Sequence, residues 1–297
     1  MLGWHPDEPV TPISLSEIGK GITRLTLYCV YREPFATITS LIFSLPNLKE
    51  LLIIKTRFSS YEPPLILPDA SRRLGPLEVF VVHGMTEETY FAISQWKLAS
   101  RSLSLNPGDK SAELFMKISS ETIVTLTLRD IYFALSRTII PPPPIIHLPP
   151  LPSLKRIRIE LTSANPSRPL VGLLHSIHSA PELSSVTFSF ASRFFTAFAV
   201  PPPEYWIVAD EWLARIVTAR TTPKVGLEVV LAEWPEGNEE WEGYFPAFRR
   251  SGGELKRNAH DYEYQHLMTV LEHHVWRNTS IGVNISRLLN VFDRNQH

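Results

Sequence analysis

Three arginines, Arg129, Arg156 and Arg158, are the side chains of this sequence best suited to recognition chemistry. A guanidinium presents a planar fork of donors and grips a carboxylate or phosphate through two parallel hydrogen bonds. Arg156 and Arg158 stand two apart in KRIRIEL, the spacing of side chains on one face of a strand. Neighbouring strands run ~4.8 Å apart, so an Arg129 that ends the adjacent strand shares one basic patch with them. Such a patch suits an acidic or phosphorylated peptide. The plainer reading is a solvated sheet face with Glu160 as counter-charge. Arg24, Tyr28 and His83 fall at equivalent strand positions and complete the candidate partner-binding set.

A second grouping is acidic and aromatic. Between Pro201 and Phe245, nine acids against three bases leave a local charge of −6, with Trp206, Trp212, Trp234 and Trp241 among them. Tryptophan is a frequent interface anchor, so Trp234 and Trp241 are expected on an acidic rim that meets a basic partner. For Trp206 and Trp212, core packing is the simpler expectation.

Enzyme chemistry finds little support. No G-x-S-x-G elbow, P-loop or H-E-x-x-H is present, and YREPF follows the first strand where a nucleotide-binding fold would place glycines. His273 and His274 are adjacent and point to different sides of a helix; His260 and His266 are six apart. His175 and His178 share a helix face but lack further ligands, and no metal or other cofactor is expected. Cys29 ends an apolar strand and reads as a buried structural thiol. The Asn278-Thr279-Ser280 and Asn284-Ile285-Ser286 triplets match the glycosylation sequon by chance.

The chain has 297 residues, 44% hydrophobic and 20% charged, with a net charge of −1. That balance gives no general attraction to nucleic acid or to an anionic membrane. No apolar stretch reaches the roughly 18–20 residues of a membrane span. With a single cysteine and no basic-then-apolar start, a cytoplasmic or nuclear protein is expected. Proline is abundant, with 26 residues clustered at Pro63-Pro64, Pro141 to Pro144, Pro149-Pro150 and Pro201 to Pro203. These runs read as extended connectors.

The elements that must position the arginines are strands of a repeating pattern, L-x-x-L-x-L, clearest in SLPNLKELLII from Ser44 to Ile54. Its fourth positions are Leu25, Leu51, Phe80, Leu103, Leu126, Ile157, Val186 and Val229; its sixth are Leu27, Ile53, Val82, Leu105, Leu128, Ile159, Phe188 and Leu231. Successive units lie 23 to 31 residues apart, except for a last interval of 43 that implies an insertion or a missed unit. Helices are expected over Pro34 to Ser44, Thr86 to Trp96, Ser111 to Ser119, Pro169 to Ser179 and Asp210 to Arg220. The flanking strand positions are often polar (Arg24 and Thr26, Thr125 and Thr127, Arg156 and Arg158, Ser185 and Thr187), so one sheet face is expected buried and the other wet. Leu52, Ile54, Val79 and Val81 depart from that rule. The pattern lapses from Gly237 onward, with one more helical element ending at Gly252-Gly253.

This is an α/β fold, read as an irregular leucine-rich-repeat solenoid of seven or eight units with a curved parallel sheet and helices on its convex side. Residues 1–12 are an N-terminal extension, 13–258 the repeat domain, and 259–297 a C-terminal cap helix or tail. The units LPNLKELLI, LPSLKRIRIEL and APELSSVTFSF resemble the repeats of fungal F-box/leucine-rich-repeat-like proteins. That resemblance implies a non-enzymatic interaction protein, the substrate-recognition part of a ubiquitin ligase, with a protein partner on the concave face. It also implies a Skp-type adaptor if an F-box lies upstream, since PISLSEIGKGI is only a faint echo of one. The alternatives are a degenerate copy without a retained partner and an α/β enzyme with an unrecognised site.

Overall fold

A computed structural model of the chain describes residues 20–31, 33–62, 74–106, 110–131, 148–161, 180–190, 206–219, 226–232, 241 and 243–258. Nine strands, β1 (Arg24–Tyr28), β2 (Glu50–Ile54), β3 (Leu77–His83), β4 (Ser100–Leu105), β5 (Thr125–Ile131), β6 (Arg156–Leu161), β7 (Ser185–Phe190), β8 (Glu228–Ala232) and β9 (Glu254–Asn258), form one open parallel sheet in chain order. The described helices are α1 (Phe35–Phe43), α2 (Glu87–Ser94), α3 (Lys110–Ile118), α4 (Ile207–Ala219) and α5 (Pro246–Arg250).

The repeat pattern is the register. Leu25, Leu51, Phe80, Leu103, Leu126, Ile157, Val186 and Val229 pair side by side across the sheet, as do the eight residues of the sixth position. A one-residue slip would send both rows to the opposite face, so the apolar spacing fixes this pairing. Interior members of both rows are buried, whereas Leu25 and Leu255 at the two edges are only partly covered.

Every described helix lies on the face of those rows. Phe35, Ile38 and Ile42 of α1, Tyr90 and Ile93 of α2, Phe115 and Met116 of α3, Trp212 and Leu213 of α4, and Phe248 of α5 join them in one apolar cluster. Aromatic contacts tie the layers together: Trp96 stacks on Phe35 at 5.4 Å, Phe80 meets Phe115 at 5.8 Å, and Phe188 touches Trp206 at 5.2 Å and Phe245 at 5.6 Å. Trp206 and Trp212 are core residues, as expected. The buried Trp96 indole donates to Thr39 Oγ1 at 2.9 Å, so its polar end is satisfied too.

Three strands are entered by the same tight turn. In Leu45-Pro46-Asn47-Leu48, Leu151-Pro152-Ser153-Leu154 and Ala180-Pro181-Glu182-Leu183, the fourth N–H donates to the first carbonyl at 3.1–3.2 Å. Proline sits second, where its fixed φ suits the turn and no donor is needed. The closing leucine is buried in each case. Exits repeat as well: Cys29 (φ 52), Lys55 (φ 49) and Gly84 (φ 65) follow β1, β2 and β3 in the left-handed region. Cys29 is half-buried there, less enclosed than the sequence leads one to expect.

Two expectations about the chain's end change. β7 pairs directly with β8, so the 43-residue interval is an insertion containing α4, with no sheet strand missed between them. The apolar pattern lapses after Gly237, yet the sheet continues, because α5 and a ninth strand follow. In β9 the fourth position is Leu255, but the sixth is Arg257, which pairs with Leu231 and interrupts the apolar signature. An inward-directed charge on an edge strand discourages further strand addition. The expected helix at Pro169 to Ser179, the 1–12 extension and the 259–297 segment lie outside the described residues.

Candidate functional site

The sheet face opposite the helices carries the alternate side chains, and it divides across its width. Its first row runs Arg24, Glu50, Val79, Ser102, Thr125, Arg156, Ser185, Glu228, Glu254. At these strand starts charge is exposed. Arg24 is ion-paired to Glu50, whose carboxylate raises the guanidinium pKa further. Lys256 bridges Glu228 and Glu254, the latter at 3.3 Å. Arg156 is exposed, has no ion pair among the described residues, and borders an open depression formed with Ser185, Thr187, Glu228, Val230 and Glu254.

At the strand ends the same face is closed. His83 ends β3, Ser104 and Asn106 lie at and just after the end of β4, Arg129 is on β5, Glu160 on β6 and Ser189 on β7, and all but Asn106 are buried. His83 Nδ1 lies 2.5 Å from Asn106 Oδ1 and Nε2 lies 3.0 Å from Ser104 Oγ. With the amide carbonyl at Nδ1, that nitrogen carries the proton and Nε2 accepts from the serine. Glu160 takes Arg129 at 3.3 Å and Arg158 at 3.4 Å on its two oxygens, and Arg158 donates to Ser189 Oγ at 2.9 Å. The β5–β6 register shifts between Leu128 and Ile131, so Arg129 stands at the irregularity beside Glu160. Two runs of lateral polar contacts, one joining β3 to β4 and one joining β5 through β6 to β7, thus make up a strand-end band.

That band corrects the picture of a uniformly wet face. Leu52 and Val81 are also buried, outside the helix-side cluster, with Ile54 and Val79 half-buried. The polar residues at the strand ends tolerate burial because they pair with one another through hydrogen bonds and ion pairs, which no strand's own sequence displays. Of the three arginines, Arg129 and Arg158 share one carboxylate, so only Arg156 shows its charge to solvent.

The Ser104–His83–Asn106 order has the outline of a nucleophile, base and orienting group. Its electrostatics oppose that use. Burial, reinforced by the Arg129 charge, pushes the His83 imidazole down to about 3 despite the Asn106 hydrogen bond. A base so weak leaves little driving force for taking a serine proton at neutral pH. The sequence named His83 but not Ser104 as its partner; Asn106, the asparagine nearest a strand end, was the available signal.

Tyr28 is half-buried at the end of β1, where burial and then neighbouring Cys29 raise its phenol pKa. Trp241 is half-buried against the core, and Trp234 lies outside the described residues. Asp210, one of the acids in the −6 stretch, is buried: its two carboxylate oxygens accept the N–H groups of Ala247 (2.8 Å) and Phe248 (2.7 Å) at the start of α5. It therefore caps a helix and adds nothing to a surface rim. Among the described residues no group of three or more His, Cys, Asp or Glu could hold a metal ion, and no helix is long and apolar enough to cross a membrane. His175, His178, His260, His266, His273 and His274 lie outside them. Scanned against protein-family models the chain has no match, and the search of curated proteins finds none either.

Proposed function

We propose that the chain is a non-enzymatic interaction scaffold of the leucine-rich-repeat type, whose helix-free sheet face receives a protein partner. The observation that carries this reading is a single sheet of nine described strands, all parallel and in chain order, with every described helix on one side. Such a ribbon offers a broad rigid surface with side chains at fixed spacing. Partner contact falls on the strand starts, where Arg156, Arg24 and Lys256 are exposed, with Tyr28 at the rim. Arg129, Arg158 and His83 support that surface from within. The biological setting that fits the repeat resemblance is substrate recognition for ubiquitin ligation in the cytoplasm or nucleus, with a Skp-type adaptor only if an F-box lies upstream. Affinity capture from cells, with Arg156→Glu and Lys256→Glu beside the natural chain, tests it. A partner held by the natural chain and lost from both variants is the expected result; a capture profile identical for all three overturns the assignment of this face.

A hydrolytic reading draws on one observation, the Ser104–His83–Asn106 alignment at the carboxyl ends of parallel strands, where α/β folds commonly place ligands. A fluorophosphonate that labels Ser104 in the natural chain and fails to label Ser104→Ala would establish it in place of the scaffold.

A further inference from the structure

The outer side of the helical layer holds a surface independent of the sheet face. Phe91 on α2 is 58% exposed and Leu114 on α3 is 39% exposed, two of the few large apolar side chains left open among the described residues. Phe91 lies four residues after Glu87, three after Glu88 and four before Gln95, so these residues share one stripe turned away from the buried Tyr90 and Ile93. α2 and α3 lie side by side, and between Phe91 and Leu114 runs an open groove floored by Ala92 and Tyr61. Tyr61 is held in place by a 2.9 Å hydrogen bond to Thr89 Oγ1.

Among the described residues that line this groove, the charged ones are Glu87 and Glu88. Glu88 is kept ionised by its own backbone N–H and then by the Thr86 hydroxyl, with the Arg57 charge a lesser influence. Lys117 on α3 is ion-paired with Glu113 at 3.4 Å. An open apolar groove with acids along one lip matches an amphipathic segment bearing apolar anchors one helical turn apart and cations beside them.

We propose that the α2–α3 groove docks a basic amphipathic peptide segment of a partner protein, its apolar anchor seated between Phe91 and Leu114 and its lysine or arginine side chains on Glu87 and Glu88. This surface lies on the opposite side of the molecule from the strand-start arginines, so either can fail alone.

The probe is a fluorescein-labelled helical peptide with leucines at i and i+4 flanked by lysines, compared with the same peptide carrying glutamates in place of lysines. Binding to the full chain is read by fluorescence anisotropy at low and high salt. The lysine peptide is expected to bind at least tenfold more tightly than the glutamate peptide and to weaken with salt, since exposed charges are screened beyond about 8 Å at physiological ionic strength. Phe91→Asp, an exposed site whose fold is checked by circular dichroism, is expected to lose at least tenfold. Glu87→Lys is expected to shrink the preference for the lysine peptide. Equal binding of the two peptides, or unchanged binding to Phe91→Asp, overturns the proposal. Self-association by sedimentation velocity that Phe91→Asp abolishes, without peptide binding, gives the groove to a second copy of the chain and also overturns it.

Discussion

His83 should stay neutral in the folded protein through the whole range in which free histidine titrates, and the consequence is measurable. Its imidazole lies under the strand-end band with Arg129 nearby, and its pKa falls from 6.5 to about 3. As pH drops below 6.5 the unfolded chain takes up a proton at this residue while the folded chain does not. Stability is therefore fully present above about pH 6.5 and declines towards pH 3, by about 1.4 kcal/mol per pH unit once the unfolded imidazole is mostly charged. Between pH 7 and pH 5 this single group should cost about 2 kcal/mol. Urea denaturation at the two pH values, for the natural chain and for His83→Gln, isolates it, because the other nine histidines contribute equally to both proteins. The variant is expected to be less stable at pH 7, having lost part of the Ser104 and Asn106 pairing, yet to lose about 2 kcal/mol less on acidification. Ring resonances observed by NMR give a direct check. A His83 signal that titrates with a midpoint near 6.5, or identical acid sensitivity in both proteins, would refute the closed strand-end band and reopen the hydrolytic reading.

Substitutions at three further positions probe the same architecture, each by chemical denaturation. Glu160→Gln strips Arg129 and Arg158 of their shared counter-charge and should cost about 3–5 kcal/mol, the range for breaking a buried ion pair; a loss below about 1 kcal/mol would mean those guanidinium groups are hydrated. Gly253→Ala would place a methyl within the ring of the buried Phe248, at the junction of α5 and β9, and should cost about 1–3 kcal/mol by overpacking. Asp210→Ala removes the cap that α4 supplies to α5 and should cost about 2 kcal/mol, whereas Asp210→Asn keeps one acceptor and should cost visibly less; equal losses would contradict the two-oxygen cap.

Legibility followed the range of the interactions. The fourth and sixth positions read from the chain, Leu25 through Val229 and Leu27 through Leu231, are the register rows of eight strands, because period-two apolar spacing dictates which face a strand buries. Helices at Phe35–Phe43, Glu87–Ser94 and Lys110–Ile118 were readable from their proline or acidic starts and apolar spacing, within a residue or two of their ends. The α4 helix begins at Ile207, ahead of the Asp210 start the sequence offered, because Asp210 serves α5 as a cap and marks no beginning of its own helix. β9 escaped notice because Arg257 replaces the sixth apolar residue. The strand-end band was invisible for a different reason: His83, Ser104, Asn106, Arg129 and Glu160 come from four strands and their borders, and nothing local in any of them announces lateral pairing.

The division of the sheet face has a consequence for how its residues can be used. At the strand starts, an exposed pair such as Arg24–Glu50 is worth ~0–1 kcal/mol, so a partner can displace it at little cost. At the strand ends, Arg129, Arg158 and Glu160 are buried or nearly so and ion-paired with one another, and drawing any one of them into an intermolecular contact would strand the others. Substitutions on this face should therefore separate into two groups. Those at Arg24, Arg156 and Lys256 should change association while leaving stability nearly untouched; those at His83, Arg129 and Glu160 should change stability first and association only through it. A strand-end substitution that abolished partner binding in a chain of unaltered stability would contradict this division and move the recognition surface to the carboxyl ends of the strands.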